Sequence, residues 1–410
     1  MKKSLAFTAF LLSFALLLSA CGQKVQETET AVETIEETAT EAFQGMTDAD
    51  HAYLKTYLAD YAEGKLVGEK LFDYERFDEF VKPFEYKGLT YPADSMVDTE
   101  VTDEDVDDFL TLFVLATQVS DEKYQELTEG TVQKYDMAII DFRGVVDGKE
   151  SENTSGTDQE LVIGSGSFID GFEAGLIGKN IGEEVKLDLK FSPYYGAKEM
   201  AGKDATFYVT VKKVQRAVVP QLSAEDINKY YETEFKSMDE AKAWFKEALG
   251  KQAQSEAYSC ISAYLQGKIL EGMEVVQFPE KESEHFASLQ LMQHEYAKGD
   301  ADWEAYCSEK LGMSYEELKG QAELSAQEEI KPTLMMYYVA KAEGLTCTAE
   351  QLSAYIEGFY TTQNTDGYYK NLQTMIEQCT EFYGAGFFEE QVLGAMVSEK
   401  LIEYAVKEAV

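Results

Sequence analysis

The strongest constraint on the fold is a change in hydrophobic period near the middle of the chain. Within residues 131–215, apolar and polar side chains alternate in Val185–Phe191 and in Phe207–Val211, which is the period of half-buried antiparallel strands. Met137–Val146 is a third such run, and the Asp-Gly pair that follows it is a strong signal for a β-hairpin. This region is therefore predicted to form an antiparallel sheet.

One short helix is predicted inside the same region. Ser167–Ile177 carries apolar side chains at helical spacing, at Phe168, Ile169, Phe172 and Leu176. Several antiparallel strands with a single helix indicate an α+β domain in which the helix covers one face of the sheet.

The remainder of the chain, from Pro220 to Val410, reads as consecutive helices. Four capping boxes mark helix starts, at Ser223, Ser237, Ser314 and Thr348. Apolar residues at four-residue steps from Ala241 to Leu265 predict one long amphipathic helix. The prolines of this half, Pro220, Pro279 and Pro332, are expected at boundaries or helix starts. The fold class is thus an antiparallel α+β domain followed by an all-helical one.

The first 20 residues have the layout of a secretory signal peptide. Two lysines follow Met1, an apolar run extends from Leu5 to Leu18, and small residues precede Cys21. This junction resembles a bacterial lipobox, which implies that Cys21 is lipidated and becomes the first residue of the mature chain. The alternative is ordinary cleavage next to an incidental cysteine. Lipidation predicts an extracytoplasmic protein that is lipid-anchored to the cell membrane.

Charge narrows the classes of partner. Lys and Arg total 36 against 76 Asp and Glu, a formal net charge of −40, which argues against nucleic acid because neutralising phosphates requires clustered basic residues. Glu27–Glu41 holds six Glu and five Thr, too polar and too uniformly charged to form a core. Residues 21–45 are accordingly predicted to be an acidic, disordered tether.

The sequence offers little for metal, cofactor or nucleophilic chemistry. Its three histidines are distributed along the chain at positions 51, 285 and 294, and the glycine spacing of Gly164–Gly171 does not fit a dinucleotide or phosphate loop. The four cysteines after Cys21 have no zinc or redox spacing and are expected as buried thiols, at Cys260, Cys307, Cys347 and Cys379. We expect neither a cofactor nor a metal.

Three separated blocks resemble the FKBP family of peptidyl-prolyl isomerases, in order and in spacing. They are Asp141–Gly148, Val162–Leu176 and Phe191–Phe207. The variant is most similar to the isomerase domain of bacterial trigger factor. The flanks agree, because the helix after Val101 and the helical half that begins at Val219 look like that family's connecting helix and client-binding arms.

The resemblance implies an aromatic cup as the catalytic site. Its walls would be Phe142, Phe168, Ile169, Phe172, Tyr195 and Phe207. The Tyr195 hydroxyl would donate to a client carbonyl, and the backbone N–H of Ile169 would be a second donor. The alternative is that these side chains only form the core between sheet and helix. One departure is Ser151, where the family usually has an aromatic residue, and this substitution predicts reduced isomerase activity.

The resulting interpretation is a foldase that isomerises X–Pro bonds and holds unfolded or nascent exported polypeptides, without a ribosome partner. Alternatives are a client-holding chaperone with an inactive isomerase domain, and a lipid-anchored solute-binding protein, which would require parallel sheets in two lobes. Adaptable apolar surface for clients is suggested by Leu289, Leu291, Met292 and 334–338. The predicted regions are the signal peptide 1–20, the tether 21–45, an N-terminal region with connecting helix 46–130, the isomerase domain 131–215 and the helical domain 216–410.

Overall fold

The computed structural model describes residues 45–65, 74–92, 99–118, 124–193, 195–197, 199–231, 233–364 and 368–408. These residues divide into two compact units. One is built around Tyr91–Tyr264, and the other around Leu265–Val406 together with the described residues before Tyr91. The predicted signal peptide, Cys21 and most of the tether lie outside the described residues, and so does the side chain of Ser151.

The first described elements precede the sheet domain. They are helix α1 (Asp48–Ala62), a 3-10 helix (Tyr74–Glu79), strand β1 (Thr90–Tyr91) and helix α2 (Asp103–Gln118). A capping box starts α1, because Thr47 Oγ1 accepts the N–H of Asp50 while the Asp50 carboxylate accepts the N–H of Thr47. The same exchange between Thr102 and Asp105 starts α2.

Residues 124–217 hold a five-stranded antiparallel sheet. Its strands are β2 (Tyr124–Leu127), β3 (Met137–Val146), β4 (Lys149–Val162), β5 (Glu184–Lys190) and β6 (Asp204–Ala217). Their order is β2-β6-β3-β4, with β5 also paired to β6. The Asp-Gly turn joins β3 and β4, as its sequence signal predicts. Together with the helices that follow, this arrangement confirms the predicted fold class and excludes parallel lobes within the described residues.

Helix α3 (Phe172–Leu176) packs against this sheet and is shorter than predicted. The spacing in Ser167–Ile177 indicates a helix over the whole segment, but Gly166 and Gly171 have φ values of 71° and 83°. Left-handed backbone at these two glycines interrupts a right-handed helix. Residues 164–171 therefore form a loop that leads into α3.

A single hydrophobic core joins α3 to the sheet. Alternate strand positions face α3, so that Ile140, Val209 and Val211 are buried with Phe172 and Leu176. Burying side chains of this size contributes roughly 1.5–3 kcal/mol each. The period-two pattern thus becomes one dry face of the sheet, and the aromatic residues of the site lie at its edge.

Helix α2 packs on the first two helices after the sheet, α4 (Ala224–Tyr231) and α5 (Met238–Gly272). Their shared core contains Val106, Leu110, Ile227 and Phe245. Asp108 of α2 accepts a hydrogen bond from Lys134 Nζ at 2.5 Å and another from the Tyr135 hydroxyl. These bonds connect α2 to the loop before β3.

The remaining elements are α6 (Glu280–Lys298), α7 (Trp303–Tyr306), a π-helical turn (Cys307–Leu311), α8 (Tyr315–Glu343), α9 (Ala349–Gln363), α10 (Leu372–Tyr383), α11 (Phe387–Tyr404) and strand β7 (Val406–Lys407), which pairs with β1. The capping boxes predicted at Ser314 and Thr348 are present. The expectation for Pro332 is wrong, because this residue lies inside α8. Buried side chains on both sides of it, Ile330 and Leu334, offset the roughly 3 kcal/mol that an interior proline costs.

The expectation of buried cysteine thiols can be compared with the structure. Cys307 and Cys379 are buried free thiols, Cys347 is a half-buried one, and Cys260 is buried. His285 and His294 are half-buried, and His285 Nε2 lies 2.5 Å from the carbonyl oxygen of Phe382. Among the described residues, no helix combines the length and the apolar character that crossing a bilayer requires.

Candidate active site

Four of the predicted site residues form one aromatic cluster. Phe142 comes from β3, Phe207 from β6, Phe172 from α3 and Phe168 from the loop before it. The Phe168 and Phe172 rings stack with centroids 4.3 Å apart, and Phe142 meets Phe168 edge-on at 5.2 Å. Phe172 contacts Phe207 edge-on at 5.4 Å. The structure therefore brings together residues that are up to 65 positions apart in sequence.

Burial divides the cluster into a floor and a rim. Phe172 is fully buried and Phe207 is 4% exposed, whereas Phe142, Phe168 and Ile169 are half-buried against the same core. The two floor rings belong to the sheet–helix core, as the alternative reading of the sequence proposed. The three rim residues are the ones that a bound chain can contact without opening the core.

Tyr195 lies apart from the four-ring cluster. Its side chain is 38% exposed, and its ring packs against Phe191 with centroids 4.7 Å apart. Phe191 in turn lies 6.2 Å from Phe207, so the connection between Tyr195 and the cluster is indirect. Phe191 is a buried wall that the sequence analysis did not assign to the site, although its place at the end of an alternating strand gave the signal.

Two cross-strand glycines hold rings of the cluster in place. Phe142 pairs with Gly156 of β4, and Phe207 pairs with Gly144 of β3. A Cβ atom at Gly156 would stand 2.7 Å from Phe142 Cε1, and one at Gly144 would stand 2.7 Å from Phe207 Cε1. Each ring thus lies over a position without a side chain. A glycine inside a strand pattern signals such a close approach, and the sequence analysis did not use it.

The loop before α3 is held by a buried carboxylate, another feature that the sequence analysis did not assign. Glu173 is 7% exposed. Its Oε2 accepts the N–H groups of Gly164 and Gly166 at 2.7 and 3.1 Å, and its Oε1 accepts that of Phe168 at 3.2 Å. Ser165 Oγ donates to Oε1 at 3.4 Å. The carboxylate therefore holds residues 164–168 of the loop.

Charged groups lie around the sheet and not among the four rings. Lys212 pairs with Asp158 at 2.6 Å and with Asp141 at 3.3 Å. The Asp158 N–H, together with Lys212, lowers the pKa of Asp141. Within the described part of the chain, no three His, Cys, Asp or Glu side chains are arranged to hold a metal ion. The cluster itself offers apolar surface, and the N–H of Ile169 has no acceptor among the described residues.

The helical unit carries a second candidate surface, a groove between α6 and α8 of about 550 Å³. Ala287 and Leu291 line it together with the carboxylates of Glu284 and Glu323. Met292 on α6 is 49% exposed, in agreement with its expected role as surface. The other expected surface is wrong for 334–337, which are core residues at 7% exposure or less. Four consecutive residues cover a whole turn of a helix, so this turn of α8 is buried all round.

An antiparallel sheet that packs one short helix across an aromatic cluster defines the class of the first unit as FKBP-like. Residues 128–212 match the family model described as "FKBP-type peptidyl-prolyl cis-trans isomerase". Residues 237–410 match the model described as "Bacterial trigger factor protein (TF) C-terminus". Both matches occur in one chain and in the order that the sequence resemblance predicts.

Curated relatives give the same assignment. The chain is 32% identical over 329 residues to Trigger factor 1 of Desulfitobacterium hafniense, covering 79% of this chain and 72% of that protein. It is 34% identical over 285 residues to the Trigger factor of Bacillus cytotoxicus, covering 68% of this chain and 63% of that protein. The chain belongs to the trigger factor family, and it spans a little under two thirds of the second of these relatives.

A solved trigger factor chaperone, described for promiscuous substrate recognition in folding and assembly, aligns over 78% of this chain and 73% of its own. The TM-score is 0.34 and the sequence identity is 16%.

Proposed function

We propose that this protein is a foldase that isomerises X–Pro peptide bonds in unfolded polypeptides and holds those polypeptides while they fold. The observation that carries the proposal is the aromatic cluster, in which the half-buried rings of Phe142 and Phe168 stand above the buried floor of Phe172 and Phe207. Membership of the trigger factor family supports both activities.

Isomerisation is chemistry that such a surface can perform without an acid, a base or a metal. The barrier of roughly 18–20 kcal/mol arises from amide resonance, and twisting the bond removes that resonance and lowers the dipole of the amide. An apolar site disfavours the planar, more polar amide relative to the twisted one. Only this difference between ground state and transition state accelerates the reaction.

Two donors can assist the twisted state. The N–H of Ile169 lies on the rim beside Phe168, and the exposed residue Tyr195 packs on the far side of Phe191 from the cluster. A hydrogen bond to the client carbonyl that strengthens as the amide twists would add about 1 kcal/mol each. Tyr195 is therefore proposed as a positioning contact for the client, consistent with its indirect connection to the four rings.

Holding of clients is proposed for the helical unit. The groove between α6 and α8 exposes Leu291 beside carboxylates, and Met292 offers a flexible apolar side chain near it. Unbranched, polarisable methionine adapts to varied partners. Loss of isomerase activity would therefore leave client holding intact.

We further propose that the protein acts outside the cytoplasm, anchored through a lipid on Cys21. Support comes from the basic start, the apolar run and the small residues before this cysteine. We also propose that the protein does not bind the ribosome. In support, three basic side chains of the segment before α2 form ion pairs with acidic side chains, namely Arg76, Lys82 and Lys87. Metabolic labelling with a radioactive fatty acid tests the anchor, because Cys21→Ser should abolish both labelling and membrane association.

The isomerase is tested with the soluble chain from residue 22 onward and a protein whose refolding is limited by proline isomerisation. We expect acceleration by the wild type and at least a tenfold loss of kcat/KM in Phe142→Ala, since Phe142 supplies a rim wall. Suppression of client aggregation, measured in parallel, should be unchanged. Equal acceleration by wild type and variant would contradict the assigned site.

A client-holding chaperone with an inactive isomerase domain is the second candidate. The observation in its favour is the position of Tyr195, which packs on Phe191 and not on the four-ring cluster. Ser151, where the family usually has an aromatic residue, points the same way. In that case the wild type would suppress aggregation without accelerating proline-limited refolding.

A further inference from the structure

The buried carboxylate of Glu173 is built into the loop that carries two of the rim residues, Phe168 and Ile169. It lies in the first turn of α3, directly after the floor residue Phe172. Four donors converge on it, the N–H groups of Gly164, Gly166 and Phe168 and the hydroxyl of Ser165. An ionised group at 7% exposure is tolerated only when its lone pairs are satisfied in this way.

The loop needs this carboxylate because it lacks regular structure of its own. Gly164 and Gly166 have φ values of 95° and 71°, so neither strand nor helix pairing continues through the segment. Hydrogen bonds to an ionised acceptor are roughly twice as strong as bonds between neutral groups. Glu173 thus supplies the acceptors that a strand partner would otherwise provide.

The last of these bonds determines where the rim ring stands. The Phe168 N–H donates to Glu173 Oε1 at 3.2 Å, and the Phe168 ring stacks on Phe172, the neighbour of Glu173, with centroids 4.3 Å apart. Backbone and ring of Phe168 are therefore fixed to two consecutive residues of α3. Ile169, the second rim residue of the loop, follows directly.

We propose that Glu173 is a positioning residue for the isomerase site, which acts by fixing the 164–168 loop and through it Phe168 and Ile169. The inference rests on the proposed isomerase function, and it assigns to the carboxylate no contact with the client. Without Glu173 the loop samples several conformations, and the rim is formed in only a fraction of the molecules. The apparent kcat/KM is then the wild-type value multiplied by that fraction.

Glu173→Gln is the principal test, because it keeps the shape of the side chain and replaces one acceptor oxygen by a donor. Amide hydrogen exchange of the full soluble chain, followed by NMR, reports the loop directly. We expect at least a tenfold loss of protection at Gly164, Gly166 and Phe168, with the sheet amides unchanged. The kcat/KM for a proline peptide should fall about tenfold. Glu184→Gln, an exposed substitution on β5, is the matched control and should change neither.

A double-mutant cycle separates positioning from general stability. If Glu173 acts through the rim ring, Glu173→Gln should lower kcat/KM in the wild-type background but by less than twofold when Phe168 is already alanine. Equal losses in both backgrounds would overturn the inference. So would native loop protection in Glu173→Gln. Should that variant expose the whole sheet, Glu173→Asp is measured in the same way, since it keeps the charge and shortens the reach.

The exchange measurement also keeps the two proposals distinguishable. A wild type without isomerase activity would overturn the proposed function, and the loop amides of Glu173→Gln would still decide whether the carboxylate fixes the loop. An active wild type with unchanged activity in Glu173→Gln would leave the function in place and overturn the positioning role.

Discussion

Adding one methyl group at Gly144 or at Gly156 tests how tightly the aromatic cluster is packed. Neither glycine has a positive φ, so alanine fits the backbone of both, and only the surroundings differ. At Gly144 the new Cβ would lie 2.7 Å from Phe207 Cε1 and 2.9 Å from the backbone oxygen of Thr154. At Gly156 its three nearest neighbours would all be side-chain atoms, two of Phe142 and one of Gln159.

The two variants should therefore differ in the property that they lose, which is stability for Gly144→Ala and activity for Gly156→Ala. Ordinary carbon contacts begin near ~3.5 Å, so the Gly144 methyl is too close by about 0.8 Å to a buried ring and close to a backbone atom. Overpacking of this kind costs roughly 2–3 kcal/mol, reduced by about 0.4–1 kcal/mol because alanine restricts the unfolded chain. Gly144→Ala should lose about 2 kcal/mol of local stability, which is about a 25-fold loss of exchange protection.

Gly156→Ala should instead displace the half-buried ring of Phe142 and leave the sheet intact. Its loss of protection should stay below about threefold, while kcat/KM falls about tenfold, since misplacing a site wall by less than 1 Å is enough to impair it. Hydrogen exchange by mass spectrometry on the full chain, with peptides covering β3 and β6, measures the stability of this domain separately.

Gly320→Ala provides the control for the substitution itself. Gly320 lies in α8, and a Cβ there meets no atom within 4 Å, so this variant should gain stability by about 0.5–1 kcal/mol. Protection of β3 within threefold of wild type in Gly144→Ala would refute the packing argument.

Three further expectations concern other features of the structure. Asp136→Ala removes a buried carboxylate that binds Arg216 at 2.7 Å, and it should destabilise the sheet domain by about 3 kcal/mol in the same exchange experiment. Lys87, with two tyrosine hydroxyls, lowers the pKa of Glu343 to about 2. The contribution of this carboxylate to the free energy of unfolding is therefore complete above the unfolded pKa of ~4.3 and is lost as the pH falls toward 2. Glu343→Gln should therefore lower the free energy of unfolding by about 2 kcal/mol at pH 7, a value already reduced for solvent screening. In acid unfolding, this difference from the wild type should shrink progressively between pH 4 and pH 2. Tyr195→Phe should lower kcat/KM about fivefold if its hydroxyl donates to the client, and an unchanged value would remove it from the site.

Local patterns predicted the elements well because their causes are local. Alternation at Val185–Phe191 and at Phe207–Val211 predicted strand β5 and the middle of β6, and the capping boxes at Ser314 and Thr348 predicted helix starts within a residue. The same reasoning failed at Pro332, because tertiary packing on both sides of it outweighs an intrinsic preference that favours a helix start.

The sequence by itself determined the class of fold, the switch from strands to helices and the identity of the aromatic residues, since each depends on spacing along the chain. Only the tertiary structure decided which rings are floor and which are rim, because burial depends on what packs from other strands. It also placed Tyr195 on Phe191 and brought the Glu173 carboxylate to the amides of the preceding loop. The contacts of Glu173 arise from the way the loop turns back on α3, and left-handed glycines make that turn sterically accessible while leaving its partner unspecified.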